Sequence, residues 1–131
     1  MAPERRRTVP HLQFDTDADP TAAEKDALAA AVTGLYTDHM ETTPGHVAVT
    51  IRDRDSADLY LGRAVEGAIV VLDADVREGR PFELKRAFAL AAMEYLIDEW
   101  GVPEANLKVT FTEHAGEEMM GYDRVGGDWD G

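Results

Sequence analysis

Pro10, Arg77 and Arg80 are the residues of this chain whose types and placement could do chemistry. Pro10 opens the segment Val9-Pro10-His11-Leu12-Gln13-Phe14, which alternates apolar and polar side chains like a short strand. Inside a chain its nitrogen is a tertiary amide, with no proton to take and no lone pair to offer. At an amino terminus the same nitrogen is a secondary amine. An α-amino group titrates near ~8, and a cationic, partly dry surrounding lowers that value further. Such an amine serves as a general base or a nucleophile at neutral pH. Pro10 is therefore either chemically silent or the centre of an active site, and where the chain starts decides which.

Residues 1–9 bear on that choice. They hold Arg5, Arg6 and Arg7 against Glu4, a net +2 on a chain of net −13, so residues 10–131 carry −15. No apolar run follows the arginines, so the stretch is not a secretory signal. A valine codon can initiate translation in bacteria and archaea, and an initiator methionine is trimmed before proline. Starting the chain at Val9 would thus leave Pro10 free; the plainer reading is a disordered basic extension.

Arg77 and Arg80 flank Glu78-Gly79 just ahead of a helix start at Pro81. Two guanidinium groups beside a positive helix end make a site for a carboxylate or phosphate. The competing reading pairs them with Asp73, Asp75 or Glu83 as surface structure. Of the histidines at 11, 39, 46 and 114 none forms a metal-binding helical pair, and His11 stands out only as the neighbour of Pro10. Asp15, Asp17 and Asp19 alternate like a calcium loop, but Pro20 breaks the run, and they read as acidic surface leading into a helix.

Those residues need a scaffold, and composition bounds it. At 131 residues without cysteine the chain is one domain, with no disulfide frame and no thiolate metal site. No apolar stretch reaches membrane-spanning length, and a cytoplasmic protein without cofactor or metal is expected. Twenty-six Asp and Glu against ten Arg and three Lys repel a phosphate backbone, so nucleic acid is not an expected partner. The lysine-poor acidic balance suits a salt-rich, halophilic cytoplasm.

The elements come as one unit written twice. Residues 11–15 read as a strand; Thr21 and Glu24 form a capping box; a helix follows to about Met40 with Leu28, Ala31, Val32, Leu35 and Met40 at helical spacing. Thr43-Pro44-Gly45 then turns into a strand at 46–51. The second unit has a strand at 68–72 whose continuous apolar run predicts burial on both faces, and a loop at 76–80. A helix from Pro81 to Trp100, stopped by Gly101, buries Leu84, Phe88, Ala91, Ala92, Tyr95 and Leu96, and a closing strand covers 107–111. Between the units, 52–66 is polar around Leu59-Tyr60-Leu61. The expected fold is α+β: two consecutive β-α-β units forming a four-stranded mixed sheet with two helices on one face. Leu12, Phe14, Val47, Val49 and Ile51 are expected to make the other face apolar and to drive oligomerisation. The tail from His114 is either an arm over a neighbour or disordered. Glu117-Glu118 and Met119-Met120 have no spacing argument behind them. The divisions expected are an extension at 1–9, a domain at 10–124 and a flexible tail at 125–131.

Several of these segments together resemble a known family. Pro10-His11-Leu12-Gln13-Phe14, the Thr21-capped helix, Gly45-His46-Val47-Ala48-Val49, Leu61-Gly62-Arg63, Asp75-Val76-Arg77-Glu78-Gly79-Arg80 and Phe111-Thr112-Glu113-His114 look like the tautomerase superfamily, nearest to its cis-3-chloroacrylic acid dehalogenase branch. The resemblance spans residues 10 to about 124 and rests on order and spacing rather than on one motif. It implies a homotrimer, a catalytic amino-terminal proline at Pro10, and a substrate-carboxylate clamp from Arg77 and Arg80, with His11 beside it. The branch's helix histidine falls on Tyr36, its strand tyrosine on Thr110, and its water-activating glutamate near Gly121, where Glu117 or Glu118 could stand in. The implied activity is keto–enol tautomerisation of a small 2-oxo or 2-hydroxy-enoate acid. A cofactor-free hydratase, dehalogenase or decarboxylase, and a catalytically silent oligomer with Pro10 blocked, are the alternatives.

Overall fold

The computed structural model describes residues 10–40, 42, 44–121 and 124–125. The basic stretch at 1–9 and the end at 126–131 lie outside the described residues. Strand β1 (His11–Thr16) leads to helix α1 (Ala22–Met40), which returns the chain to β2 (Ala48–Asp53). Strand β3 (Val70–Arg77), helix α2 (Phe82–Trp100) and β4 (Leu107–His114) repeat the pattern. The sheet order is β2-β1-β3-β4, with β1 parallel to β2, β3 parallel to β4, and β1 antiparallel to β3 at the centre. A short hairpin of β5 (Met120–Gly121) and β6 (Arg124–Val125) follows.

Both helices begin and end where side-chain and backbone chemistry tells them to. The Thr21 hydroxyl accepts the Glu24 amide at 3.1 Å, and the Glu24 carboxylate accepts the Thr21 amide at 2.8 Å, closing the capping box. Helix α2 stops at Gly101, whose φ of 68° lies in the left-handed region a β-carbon disfavours. Leu28, Val32, Tyr36 and Met40, each four residues on, form the buried row of α1; Phe88, Ala92 and Leu96 form that of α2.

These rows meet one face of the sheet. Leu12 and Phe14 pair in register with Ala74 and Leu72, and all four are buried together with Val70 and Val76. Val49 and Ile51 sit beside Leu12 and Phe14 and are packed against the same core. This corrects the expectation that Leu12, Phe14, Val49 and Ile51 would line the uncovered face. Alternation turns His11, Gln13, Asp15, Thr50, Arg52, Asp73 and Asp75 outward instead. That face is held by polar contacts: His11 Nε2 to Thr50 Oγ1 at 2.7 Å, Gln13 Nε2 to Asp75 at 3.0 Å, and His114 Nε2 to Asp75 at 2.9 Å. Arg52 and Arg54 both donate to Asp15. β3 is accordingly buried on one face, not two. It also begins later and runs further than expected, because β4 continues to His114 and supplies ladder partners for Val76 and Arg77, which the sequence had suggested were loop. β2 is likewise shifted two residues on, after a short 3-10 turn at Pro44–His46.

The connection from β2 to β3 crosses one end of the sheet. The buried Asn106 side chain fastens it there, accepting from the Val65 amide at 2.8 Å and donating to the carbonyls of Val65, Ala68 and Gly67 at 2.9, 3.0 and 3.3 Å. Arg63 donates to the Leu107 carbonyl beside it. Asn106→Ala leaves one amide and three carbonyls without this partner, and a loss of about 2–4 kcal/mol is expected in urea unfolding.

Partial burial pushes the Asp15 carboxyl up, but the hydrogen bonds and charges of Arg52 and Arg54 outweigh it and hold its pKa below the ordinary value. A depressed folded-state pKa contributes stability above the unfolded value of ~3.9 and loses it as pH falls through the folded value. Asp15→Asn should therefore flatten the decline of stability below about pH 4 in acid titration of the fold.

Candidate active site

The topology gathers three chain segments at one end of the layer. β1 starts there, α1 runs back and ends there, and the antiparallel β3 finishes there. With His11 paired to Asp75, the register continues with Pro10 beside Val76. Pro10 is buried, and its carbonyl accepts the Ala48 amide at 3.0 Å, which ties it to the start of β2. Alternation puts its ring on the same side as Leu12, toward the helices.

Arg80 reaches this end by way of a tight turn. Gly79 has φ 109°, a conformation that favours glycine, and it brings the chain out of β3 and back under α1. The Arg80 side chain is then buried, 9% exposed as a residue, and its Nε donates to the Met40 carbonyl at 3.0 Å. Met40 is the last residue of α1, so this carbonyl has no partner within the helix, and a guanidinium there also meets the negative helix end.

Tyr36 lies one turn earlier on α1. Its ring is fully buried and meets Phe88 edge to face, with centroids 5.2 Å apart and planes at 83°; Phe88 meets Phe111 at 6.5 Å. The hydroxyl has no hydrogen-bond partner. Burial pushes the phenol up to about 12, with the Arg80 charge pulling the other way. Tyr36 is therefore a neutral hydroxyl at physiological pH. An orphan donor buried near a cation can serve an oxygen that carries or develops negative charge.

Of the residues singled out from sequence, Tyr36 and Arg80 come together, with Pro10 at the same end. His11 and Arg77 occupy outward positions of β1 and β3, His11 against Thr50 and Arg77 next to His114 in register. Thr110 is an exposed position of β4. Glu117 and Glu118 are exposed on a 3-10 turn at Gly116–Glu118 shortly after β4, and Gly121 lies in β5. Among the described residues, no group of three or more His, Asp or Glu could hold a metal ion. The Met40 carbonyl and the Phe88 ring are parts of the site that sequence reading did not supply. The signal for the ring was present, since Leu28, Val32, Tyr36 and Met40 fall on one four-residue row that turns Tyr36 inward.

No family model and no curated protein matches this sequence. Solved structures do. The chain superposes on N1, a member of the cis-3-chloroacrylic acid dehalogenase family, with a TM-score of 0.79, covering 88% of this chain and 82% of that one at 25% identity. FG41 malonate semialdehyde decarboxylase, inhibited by 3-bromopropiolate, gives 0.72 over 85% and 87% at 20% identity. A fused 4-OT, solved as a symmetric trimer, gives 0.77 over 87% and 93% at 21% identity. The chain has the tautomerase-superfamily fold. Within that fold it is similar to a member of the cis-3-chloroacrylic acid dehalogenase family.

Because the Tyr36 hydroxyl has no partner, Tyr36→Phe should leave the unfolding free energy within about 0.5 kcal/mol of wild type, or raise it. Arg80→Met, which strips the Met40 carbonyl of this donor, should lower it by about 1–3 kcal/mol. Chemical denaturation of the two variants checks both.

Proposed function

We propose that this protein is a cofactor-free keto–enol tautomerase that acts on a small 2-oxo or 2-hydroxy-enoate acid and works as a homotrimer. The observation that carries the reading is the convergence of Pro10, the buried Arg80 and the unpartnered Tyr36 hydroxyl at one end of a tautomerase fold. Arg80, with Arg77 and His11 contributing from the outer side of the sheet, holds the substrate carboxylate. Neutral Pro10, as the amino-terminal residue, takes the proton from the enol hydroxyl or from the carbon beside the carbonyl. It returns the proton at the other atom of that system, so the product differs only in where hydrogen and the double bond sit. The Tyr36 hydroxyl donates to the oxygen as negative charge develops on it. The guanidinium charge also lowers the Pro10 ammonium pKa and keeps the base unprotonated near neutrality.

A second reading is hydration, dehalogenation or decarboxylation in the same scaffold. It is favoured by the likeness to dehalogenase-family and decarboxylase structures and by the exposed Glu117 and Glu118 beyond β4, either of which could activate water. Where Pro10 remains an amide, the reading becomes a catalytically silent oligomer.

The test uses protein beginning at Pro10, alongside the intact mass of protein purified from its own host. Pro10→Ala should lower kcat by about 10²–10⁴-fold and Arg80→Ala should raise KM, with enol–keto conversion followed by absorbance. Full activity in both variants overturns the mechanism. Haloacrylate turnover that depends on Glu117 or Glu118 would replace it with the second reading. A host protein that keeps residues 1–9 would replace it with the silent oligomer.

A further inference from the structure

The sheet has two edges, β2 and β4, and their surroundings carry opposite charge. Beside β4 lies a cavity of about 420 Å³ against α2, floored by Phe82, Met93 and Phe111 and rimmed by Arg63, Arg86 and Lys108. A second, of about 320 Å³, continues along the same helix past Met93 and Leu107 to Leu90 and Ile97. Phe82 is 67% exposed and Leu90 39%, an apolar strip open to water beside an edge strand. Two of the chain's three lysines, Lys85 and Lys108, line the first cavity, although the chain as a whole carries −13. Lys85 is paired with Glu113 at 2.6 Å. Beyond β2 the opposite holds: Asp17, Asp19, Asp53 and Asp55 surround a polar concavity with Arg54, and Arg54 is turned to Asp15 at 2.9 Å.

We propose that the β2 edge of one copy docks into the β4–α2 groove of the next, head to tail, with Asp53 and Asp55 meeting Arg63, Arg86 and Lys108. The inference rests on the homo-oligomer reading above and specifies its interface. Strand direction supports the match. β2 runs parallel to β1, whereas β4 runs antiparallel to it, so the two edges point in opposite senses. Rotation about an axis along the strands keeps those senses. It sets the Asp53 end of β2 beside the Leu107–Lys108 end of the neighbouring β4. A two-fold pairing of β4 with β4 would place base on base, and β2 with β2 acid on acid, each with unfavourable like-charge contacts. Only the heterologous junction joins unlike charges, and repeated by rotation it closes a ring. The same junction carries the far end of the neighbour's β4 to the start of β2, one strand from Pro10, so the candidate site would be completed by the adjoining copy.

Charge reversal of the full chain, read by sedimentation and native mass spectrometry with circular dichroism confirming the fold, tests this. The wild type should form a closed oligomer. Arg86→Glu/Lys108→Glu should be a folded monomer, and so should Asp53→Lys/Asp55→Lys. All four substitutions in one chain should restore the oligomer, because every junction again joins unlike charges. A wild-type oligomer indifferent to both pairs of reversals overturns the interface and leaves the oligomer reading standing. A two-fold wild-type dimer, or a failure of the four-substitution chain to reassemble, also overturns the interface. A monomeric wild type overturns both readings.

Discussion

The antiparallel pairing of β1 with β3 at the centre of the sheet is the constraint on which the rest of the molecule depends. It lines up Leu12 and Phe14 with Ala74 and Leu72 on one side, and His11 and Gln13 with Asp75 and Asp73 on the other. Only the first side can take a helix without burying unpaired polar groups. Both crossovers therefore return over the same face, as right-handed connections between parallel strands require. Once that is settled, the start of β1, the end of α1 and the end of β3 have no choice but to meet.

That meeting point has an electrostatic character of its own. A guanidinium carried below an apolar layer loses much of its hydration, and the carbonyl at the end of α1 compensates part of the loss. The interior beside it is lined by aromatic rings, a medium in which a fixed charge acts over a longer reach than in water. A phenol placed there is held in its protonated form by the same dryness. Position and protonation state are thus both consequences of burial, and a group that must donate rather than accept is obtained without any special partner.

Much of this was legible in the sequence, and the parts that were not share a cause. The helix limits were readable because Thr21, Glu24 and Gly101 state them locally. The repeated strand-helix-strand order was readable because its periodicities switch cleanly from two to helical spacing. Which face of the sheet the helices cover was not, since Leu12 and Phe14 alternate identically whichever side is buried; only pairing with β3 decides it. The length of β3 was hidden for a similar reason, as Val76 and Arg77 look like loop until β4 offers them partners. Pro10 and Arg80 were visible by type and spacing. The carbonyl that receives Arg80 was not, because any residue at the end of α1 would present one. Asn106 carries no motif, and its four hydrogen bonds run to a segment some forty residues earlier.

Helices α1 and α2 have the same length, 19 residues each, and bury the same places along it: Leu28 answers to Phe88, Val32 to Ala92, and Tyr36 to Leu96. With the sheet order β2-β1-β3-β4, the two halves are related by an approximate two-fold axis passing between β1 and β3. Such an axis makes two equivalent hollows, one at each end of the layer. They have not been kept equivalent. In the second half the aromatic hydroxyl is replaced by an aliphatic chain, and the chain between the halves is drawn across the strand ends and pinned by Asn106. Duplication thus yields a frame with two candidate hollows, of which one is closed off with backbone and the other keeps a buried cation, an orphan hydroxyl and a proline.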